Sequence, residues 1–395
     1  MKKRRLLSLM LLAFFFHGCT AAPYTGRSQL MLVSEGQEVG LGQDAYREIL
    51  RQNVLSNDPE SLRIVRKVGD RIARAADKAD YRWEFRVIND PEMVNAFCLP
   101  GGKVAVYTGI FPVARDEAGL AVVIGHEVAH ALLRHPAERM SQAQLMGAGM
   151  ALAQASGKVN PAALQVLGLS ASVGWMLPFS RSQESEADRV GLILMAKAGY
   201  DPRAALPLWE RMERKEKGAP PEFLSTHPGS ETRIQHLRSY MTEALNYYRT
   251  VEREIETLPS AQQLDTPTAK LERELLKKIQ GINRLASDQR GERAVAEAIS
   301  YSLRMDLRSV AQERQQLRLG YGEYAALRGV SHLGRPSLRQ ILADYQDGVR
   351  WYDLSEKNGV RLAELSAWLG DIQRAAGGSQ GQLRNQPSRS VYRIR

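Results

Sequence analysis

Between residues 34 and 107 the apolar positions change period once, from helical spacing to alternation. Residues 34–53 and 59–78 carry them at helical spacing, with Leu62, Val65, Val68 and Ile72 forming one stripe of the second segment. Trp83, Phe85 and Val87 then alternate with Glu84 and Arg86, the period-2 pattern of a half-buried strand. Pro100-Gly101-Gly102 is a turn signal, and Lys103 to Tyr107 reads as a second strand. The apolar run Leu120 to Leu133 is read as a helix. Leu145 to Ala155 and Leu164 to Phe179 are rich in apolar and small residues, but Gln, Ser, Gly and Pro interrupt them. Each falls short of the roughly 18 unbroken apolar residues of a membrane span, so buried helices or a lid are expected. A further helix holds Glu184 and runs through Lys197 to a stop at Gly199. Asp201-Pro202 supplies the N-cap and first position of the next, with Leu206 and Trp209 facing inward.

From about Thr242 the character changes. Val251 to Leu258, Lys270 to Ile282, Glu292 to Leu319, Ser337 to Tyr345 and Leu362 to Leu369 have helical patterns separated by Pro or Gly signals. No 34-residue period runs through them, so the region reads as a helical appendage rather than a repeat array. Residues 337–369 read as a helical hairpin broken at Gly348 and Gly359. Residues 377–395 are rich in Gly, Ser, Gln, Asn and Arg, the composition of a disordered tail.

The first residues change the picture by suggesting export. Lys2, Lys3, Arg4 and Arg5 precede an apolar run from Leu6 to Phe16, too short to span a membrane, and His17-Gly18-Cys19 follows. Gly18-Cys19 resembles the end of a bacterial lipobox, with Cys19 as the lipidated first mature residue; cleavage near Ala21, releasing a soluble periplasmic protein, is the alternative. That resemblance implies that Thr20, rather than Asp, after the cysteine sends the lipoprotein to the outer membrane. The chain has 2 cysteines, so lipid on Cys19 leaves Cys98 unpaired, as a small buried hydrophobe. The formal charge is +10, of which four basic residues belong to the leader. The remaining basic residues are interleaved with acids, which excludes the basic stripe expected of a nucleic-acid binder and leaves a weak attraction to anionic membrane.

The candidate chemistry sits in His126-Glu127-Val128-Ala129-His130. Residues four apart share a helix face, so His126 and His130 can present imidazole nitrogens to one cation, a zinc-ligand spacing. Glu127, about 100° round the helix, can reach a water as general base. Catalytic zinc takes three protein ligands, so one more is needed. His135 lies nine residues from His126, half a turn off the ligand face, and reads as an outer partner or surface residue. Glu184 and Asp188 also share a face: Glu184 can complete the zinc sphere while Asp188 accepts a hydrogen bond from the far nitrogen of a ligand histidine. An ordinary acidic first turn would look the same.

HExxH followed by ExxxD resembles the gluzincin-type metallopeptidase family that includes the HtpX heat-shock protease, the CAAX prenyl proteases and the periplasmic BepA-like lipoprotein proteases. Thr25-Gly26-Arg27, Asn95-Ala96-Phe97 with Pro100-Gly101-Gly102, Ser180-Arg181 and Thr226-His227-Pro228 stand in that family's order, over roughly residues 22–245. The resemblance implies an α+β fold: a mostly helical zincin-type domain with a small antiparallel sheet over residues 20–245, then an all-α region over 246–376. It implies that Asn95 and Ala96 lie on the edge strand holding the substrate backbone, and that His227 donates to the oxyanion. The expected protein is an endopeptidase with one zinc per chain, lipid-anchored in the periplasm of a Gram-negative bacterium. Its substrates are misfolded or unassembled envelope proteins, and its C-terminal helices are expected to meet the outer-membrane assembly machinery. A chaperone-like assembly factor that binds unfolded envelope proteins with little turnover is the alternative.

Overall fold

The computed structural model describes residues 19–155, 179–215, 222–227, 232–249 and 254–378. The chain divides into two compact units, residues 1–50 with 55–265, and residues 51–54 with 266–395.

The first unit opens with an antiparallel pair, β1 (Cys19–Ala21) and β2 (Ser28–Leu30). Two helices follow, α1 (Glu35–Arg51) and α2 (Pro59–Ala76). Asp58 caps α2 by accepting from Ser61 N–H, and Pro59 fills its first position, where the missing N–H costs nothing. The buried stripe Ile64, Val65, Val68 and Ile72 faces the core. Strands β3 (Glu84–Ile88), β4 (Ala96–Leu99) and β5 (Lys103–Tyr107) form a sheet in the order β3-β5-β4. β4 pairs antiparallel to β5, whereas β3 runs parallel to it. The sheet is therefore mixed, with β4 on an edge.

Behind the sheet lies α3 (Glu117–Leu132), capped by Asp116 and buried along its length between α2, β4 and α5 (Arg181–Lys197). Glu117 is buried in its first turn, where it accepts from Lys67 Nζ at 2.6 Å and Tyr200 Oη at 3.1 Å. The crossing of α3 and α5 is close. A Cβ on Gly191 would stand 3.0 Å from the His126 backbone nitrogen, and one on Gly125 would stand 3.0 Å from the Gly191 carbonyl oxygen. Two glycines let the backbones meet, which sets α5's carboxylates against α3's histidines.

Ser180 and Gln183 form a capping box on α5, and Gly199 at φ +80° ends the turn beyond it. Helix α4 (His135–Ala155) contains the expected segment 145–155; the expected lid 164–179 lies outside the described residues except for Phe179. Helices α6 (Ala205–Lys215), α7 (Glu222–Thr226) and α8 (Arg233–Tyr247) complete the unit's helices around the site, and Trp209 is buried as expected. Among the described residues no helix is long and apolar enough to cross a membrane.

Two expectations change after α8. The described part of 251–258 is extended rather than helical: Thr257 bridges Asp116, Glu117 N–H donates to the Glu256 carbonyl at 3.0 Å, and Leu258 N–H donates to the Arg115 carbonyl at 2.8 Å. These bonds hold the segment to the first unit, so the break falls after Asp265 instead of near 245.

The second unit is helical: α9 (Pro267–Leu285), α10 (Gln289–Leu303), α11 (Leu307–Leu317), α12 (Tyr321–Gly334), α13 (Leu338–Gln346), α14 (Trp351–Lys357) and α15 (Leu362–Gly377). The expected helix 292–319 is two, because Arg304 adopts a left-handed φ of +54° and Asp306 caps a new start. Gly348 at φ +83° and Gly359 at φ +70° are the expected breaks. Helix α12 was not expected, yet it supplies Tyr324, Ala325, Leu327 and Val330 to the core, packed with Leu275, Ile299, Leu365 and Leu369. The expected tail lies outside the described residues from 379 onward.

Candidate active site and metal centre

Helix α3 brings His126, Glu127 and His130 to one end of the first unit's core, and α5 sets Glu184 and Asp188 against them. His227 follows the single turn of α7, where its N–H donates to the Phe223 carbonyl at 2.8 Å and the Phe223 ring stacks on its imidazole, centroids 4.5 Å apart. All six side chains are buried. Phe179 stacks on His130 with centroids 3.8 Å apart, closing the other side.

Four donor atoms converge. His126 Nε2 lies 3.1 Å from His130 Nε2 and 3.3 Å from His227 Nδ1. Glu184 Oε1 lies 3.1 Å from His227 Nδ1 and 3.3 Å from His130 Nε2, and Glu184 Oε2 lies 3.5 Å from His126 Nε2. Four ligands held at about 2.0–2.2 Å from a tetrahedral centre stand about 3.3–3.6 Å apart. The spacing is that of a coordination sphere.

The outer contacts indicate which nitrogens are free. His126 Nδ1 faces Asp188 Oδ1 at 3.0 Å, so its proton belongs there and Nε2 carries a lone pair. His135 Nε2 faces Glu186 Oε2 at 3.1 Å and its Nδ1 faces His130 Nδ1 at 2.9 Å. With the His135 proton on Nε2, His130 donates from Nδ1 and its Nε2 is also a lone pair. Two lone pairs and a carboxylate crowd one buried point. A cation there resolves the repulsion, and the three-histidine, one-carboxylate set suits zinc.

Arg233, at the start of α8, supplies positive charge from behind. Its Nη2 donates to Asp188 Oδ1 at 2.7 Å and Glu184 Oε2 at 3.2 Å, and its guanidinium lies 3.4 Å over the Trp209 ring. Burial would raise the Glu184 pKa, but the surrounding imidazoles hold the carboxyl far below the usual range. Burial presses the His126 pKa down, yet Asp188 and Glu184 outweigh it and raise it to about 9, so without a cation a proton on His126 answers the Glu184 carboxylate, and metal binding would displace that proton to free the Nε2 lone pair. His130 has no comparable support, and burial drives its pKa well down. Burial also raises Glu127, with His227 and His126 opposing. Among the described residues Glu127 Oε1 has no hydrogen-bond partner, and it stands 3.6 Å from His227 Nε2. An unpaired buried carboxylate oxygen beside a donor cluster is what a proton acceptor requires.

The structure thus brings together His126, Glu127, His130, Glu184, Asp188 and His227. It places His227 Nδ1 inside the donor cluster, where the turn of α7 and the Phe223 stack hold the ring, with His227 Nε2 3.6 Å from Glu127 Oε1. Asn95 precedes edge strand β4, its Oδ1 accepting from Ala96 N–H at 2.8 Å and its carbonyl from Tyr107 N–H at 3.0 Å. Ala96 opens β4, which packs on α3 and has a strand neighbour on one side only among the described residues. Sequence reasoning left Arg233, Phe179 and Phe223 without roles; a buried arginine or ring shows itself only once the helices are packed. Cys98 is buried, which pushes its thiol pKa well up.

Buried HExxH histidines joined by a glutamate from a second helix define a zincin-type metallopeptidase centre. The model of peptidase family M48 matches residues 59–241, which contain the whole cluster. The mitochondrial metalloendopeptidase OMA1 of Schizosaccharomyces pombe is 38% identical over 236 residues, covering 58% of this chain and 69% of that protein. OMA1 of Homo sapiens is 31% identical over 255 residues, covering 60% of this chain and 48% of that protein. The beta-barrel assembly-enhancing protease of Escherichia coli is 31% identical over 235 residues, covering 57% of this chain and 48% of that protein. The chain belongs to peptidase family M48, the zinc-dependent metalloendopeptidases.

Proposed function

We propose that the chain hydrolyses peptide bonds with His126, His130 and Glu184 holding one zinc ion and Glu127 as general base. The observation that carries this reading is the convergence of four buried donor atoms beside the unpaired Glu127 Oε1. When bound, zinc supplies Lewis-acid polarisation of the scissile carbonyl and a water that ionises near neutral pH. Glu127 accepts the proton of the attacking water at Oε1 and passes it to the departing amide nitrogen. Asp188 fixes the His126 tautomer, and Arg233 holds Asp188 and Glu184 in place. Asn95 and Ala96, at the start of edge strand β4, bind the substrate main chain by strand addition. His227 completes the donor set in a resting arrangement, and its imidazole serves the oxyanion after leaving that cluster.

The substrate class is misfolded or unassembled envelope proteins, reached from a periplasmic, outer-membrane position through lipid on Cys19. The basic residues 2–5, the short apolar run and Gly18-Cys19 support this, as does similarity to a bacterial protease named for enhancing β-barrel assembly. The helical second unit is the proposed contact with assembly machinery. Replacing Glu127 with Gln separates this from the chaperone-like alternative. Cleavage of an unfolded outer-membrane polypeptide stops under the protease reading; if the variant still relieves an envelope defect as well as the parent does, binding alone is the function.

A further inference from the structure

Outside the donor cluster, a chain of polar contacts, half-buried at the surface and buried at His135, runs from the N-terminal hairpin to the ligand His130. Between β1 and β2 the backbone turns through Tyr24 at φ +64° and Gly26 at φ +73°. A Cβ on Gly26 would meet nothing within 4 Å, so it is the left-handed conformation rather than space that calls for glycine. The turn sends two side chains into the unit. Thr25 Oγ1 donates to Glu186 Oε1 at 2.5 Å, and Arg27 Nε donates to Glu186 Oε2 at 2.7 Å. Arg27 also forks onto Glu138, at 2.8 and 2.7 Å, and Glu138 accepts from Gln183 Nε2 at 2.8 Å. One guanidinium thereby ties α4 to α5. Glu186 passes the constraint on: it accepts from His135 Nε2, which leaves His135 Nδ1 to accept from His130 Nδ1. His135 is fully buried, and Glu186 is 12% exposed, so neither contact is diluted by water.

The geometry points to a positioning relay in which Thr25 and Arg27 hold Glu186, Glu186 orients His135, and His135 orients His130 so that Nε2 faces the metal. His126 has its own anchor in Asp188, and the two ligand histidines are steadied from opposite sides by different parts of the chain. The N-terminal hairpin is accordingly part of the metal centre, although it contributes no ligand. This rests on His130 being a zinc ligand. Partners that fix a ligand histidine typically set metal affinity by ten- to a hundredfold.

The test compares zinc affinity, by competition with a fluorescent chelator, in the purified protein and in His135→Ala, His135→Gln, Glu186→Gln and Arg27→Gln. The absorption spectrum of each cobalt-loaded protein and the Tm of each zinc-free protein are recorded alongside. The relay predicts a ten- to hundredfold loss of zinc affinity in His135→Ala, a smaller loss in Glu186→Gln and Arg27→Gln, and a shifted cobalt spectrum in all three. His135→Gln, whose amide oxygen can accept from His130, recovers much of the affinity. Variants with the parent's zinc affinity and cobalt spectrum overturn the relay, even if their zinc-free Tm falls. A parent protein that takes up no zinc overturns the metal centre itself, and the relay with it.

Discussion

The two units bury different things. The first hides His126, Glu127, His130, His135, Glu184, Asp188, His227 and Arg233 within a core of aliphatic and aromatic side chains; the second has Glu272, Ser355 and Ser366 as its buried polar residues among those described. Glu272 is answered on the spot, accepting from Arg350 Nη2 and from Tyr352 N–H at 3.2 Å. Burying unpaired charge is costly, so a core that retains crowded imidazoles and a lone carboxylate oxygen is organised for something other than stability. The second unit's core carries no such donor cluster among the described residues, and perturbing the two should have separable consequences.

The largest separation is expected from Glu127→Gln. Loss of a general base costs roughly 10²–10⁴-fold in kcat, while zinc content and Tm hold; single-turnover cleavage of an unfolded polypeptide with metal analysis reads both. The complement is Leu365→Ala in the second unit. Leu365 is fully buried, and such truncations cost about 2–5 kcal/mol. Urea unfolding should register that loss while zinc affinity stays at the parent value; a comparable fall in zinc affinity would erase the contrast. Between these lies Gly191→Ala. The new methyl presses on the His126 backbone, which costs about 1–3 kcal/mol and spreads the donors, so stability and zinc affinity should fall together.

The smallest effect concerns pH. Glu256 is held down to about 2 by Arg63 and Lys67. Its folded pKa lies below the ordinary carboxylate value, so its contribution is complete above about pH 4.5 and is lost as pH falls towards 2. Glu256→Gln should therefore lower stability slightly at neutral pH, where solvent screens these half-exposed ion pairs, and the difference from the parent should vanish as pH falls towards 2, flattening the acid limb of the profile.

How far the residues disclose this architecture depends on whether local period decides the outcome. His126, Glu127 and His130 are readable because one helix turn fixes their faces, and Glu184 and Asp188 because the same spacing recurs on α5. His135 shows where that reasoning stops. Counting nine residues from His126 places it off the ligand face only if the helix continues, but α3 ends at Leu132, Arg134 turns left-handed at φ +58°, and His135 starts a new helix aimed back at His130. His227 is similar, since a ring stack on Phe223 decides its aim. The parallel pairing of β3 with β5 depends on a partner chosen across the sheet, and α12 opens on Gly320-Tyr321-Gly322, residues of weak helix propensity, so its packing decides it. Metal-ligand spacing is local chemistry; sheet order and helix docking are not.

The most direct test is the zinc content of the purified protein beside that of Glu184→Ala, each measured after exposure to zinc and removal of excess. The account predicts about one zinc per chain in the parent and little in the variant, with cleavage lost in parallel. A parent without zinc, or a Glu184→Ala variant that retains it as tightly, would contradict the centre described above.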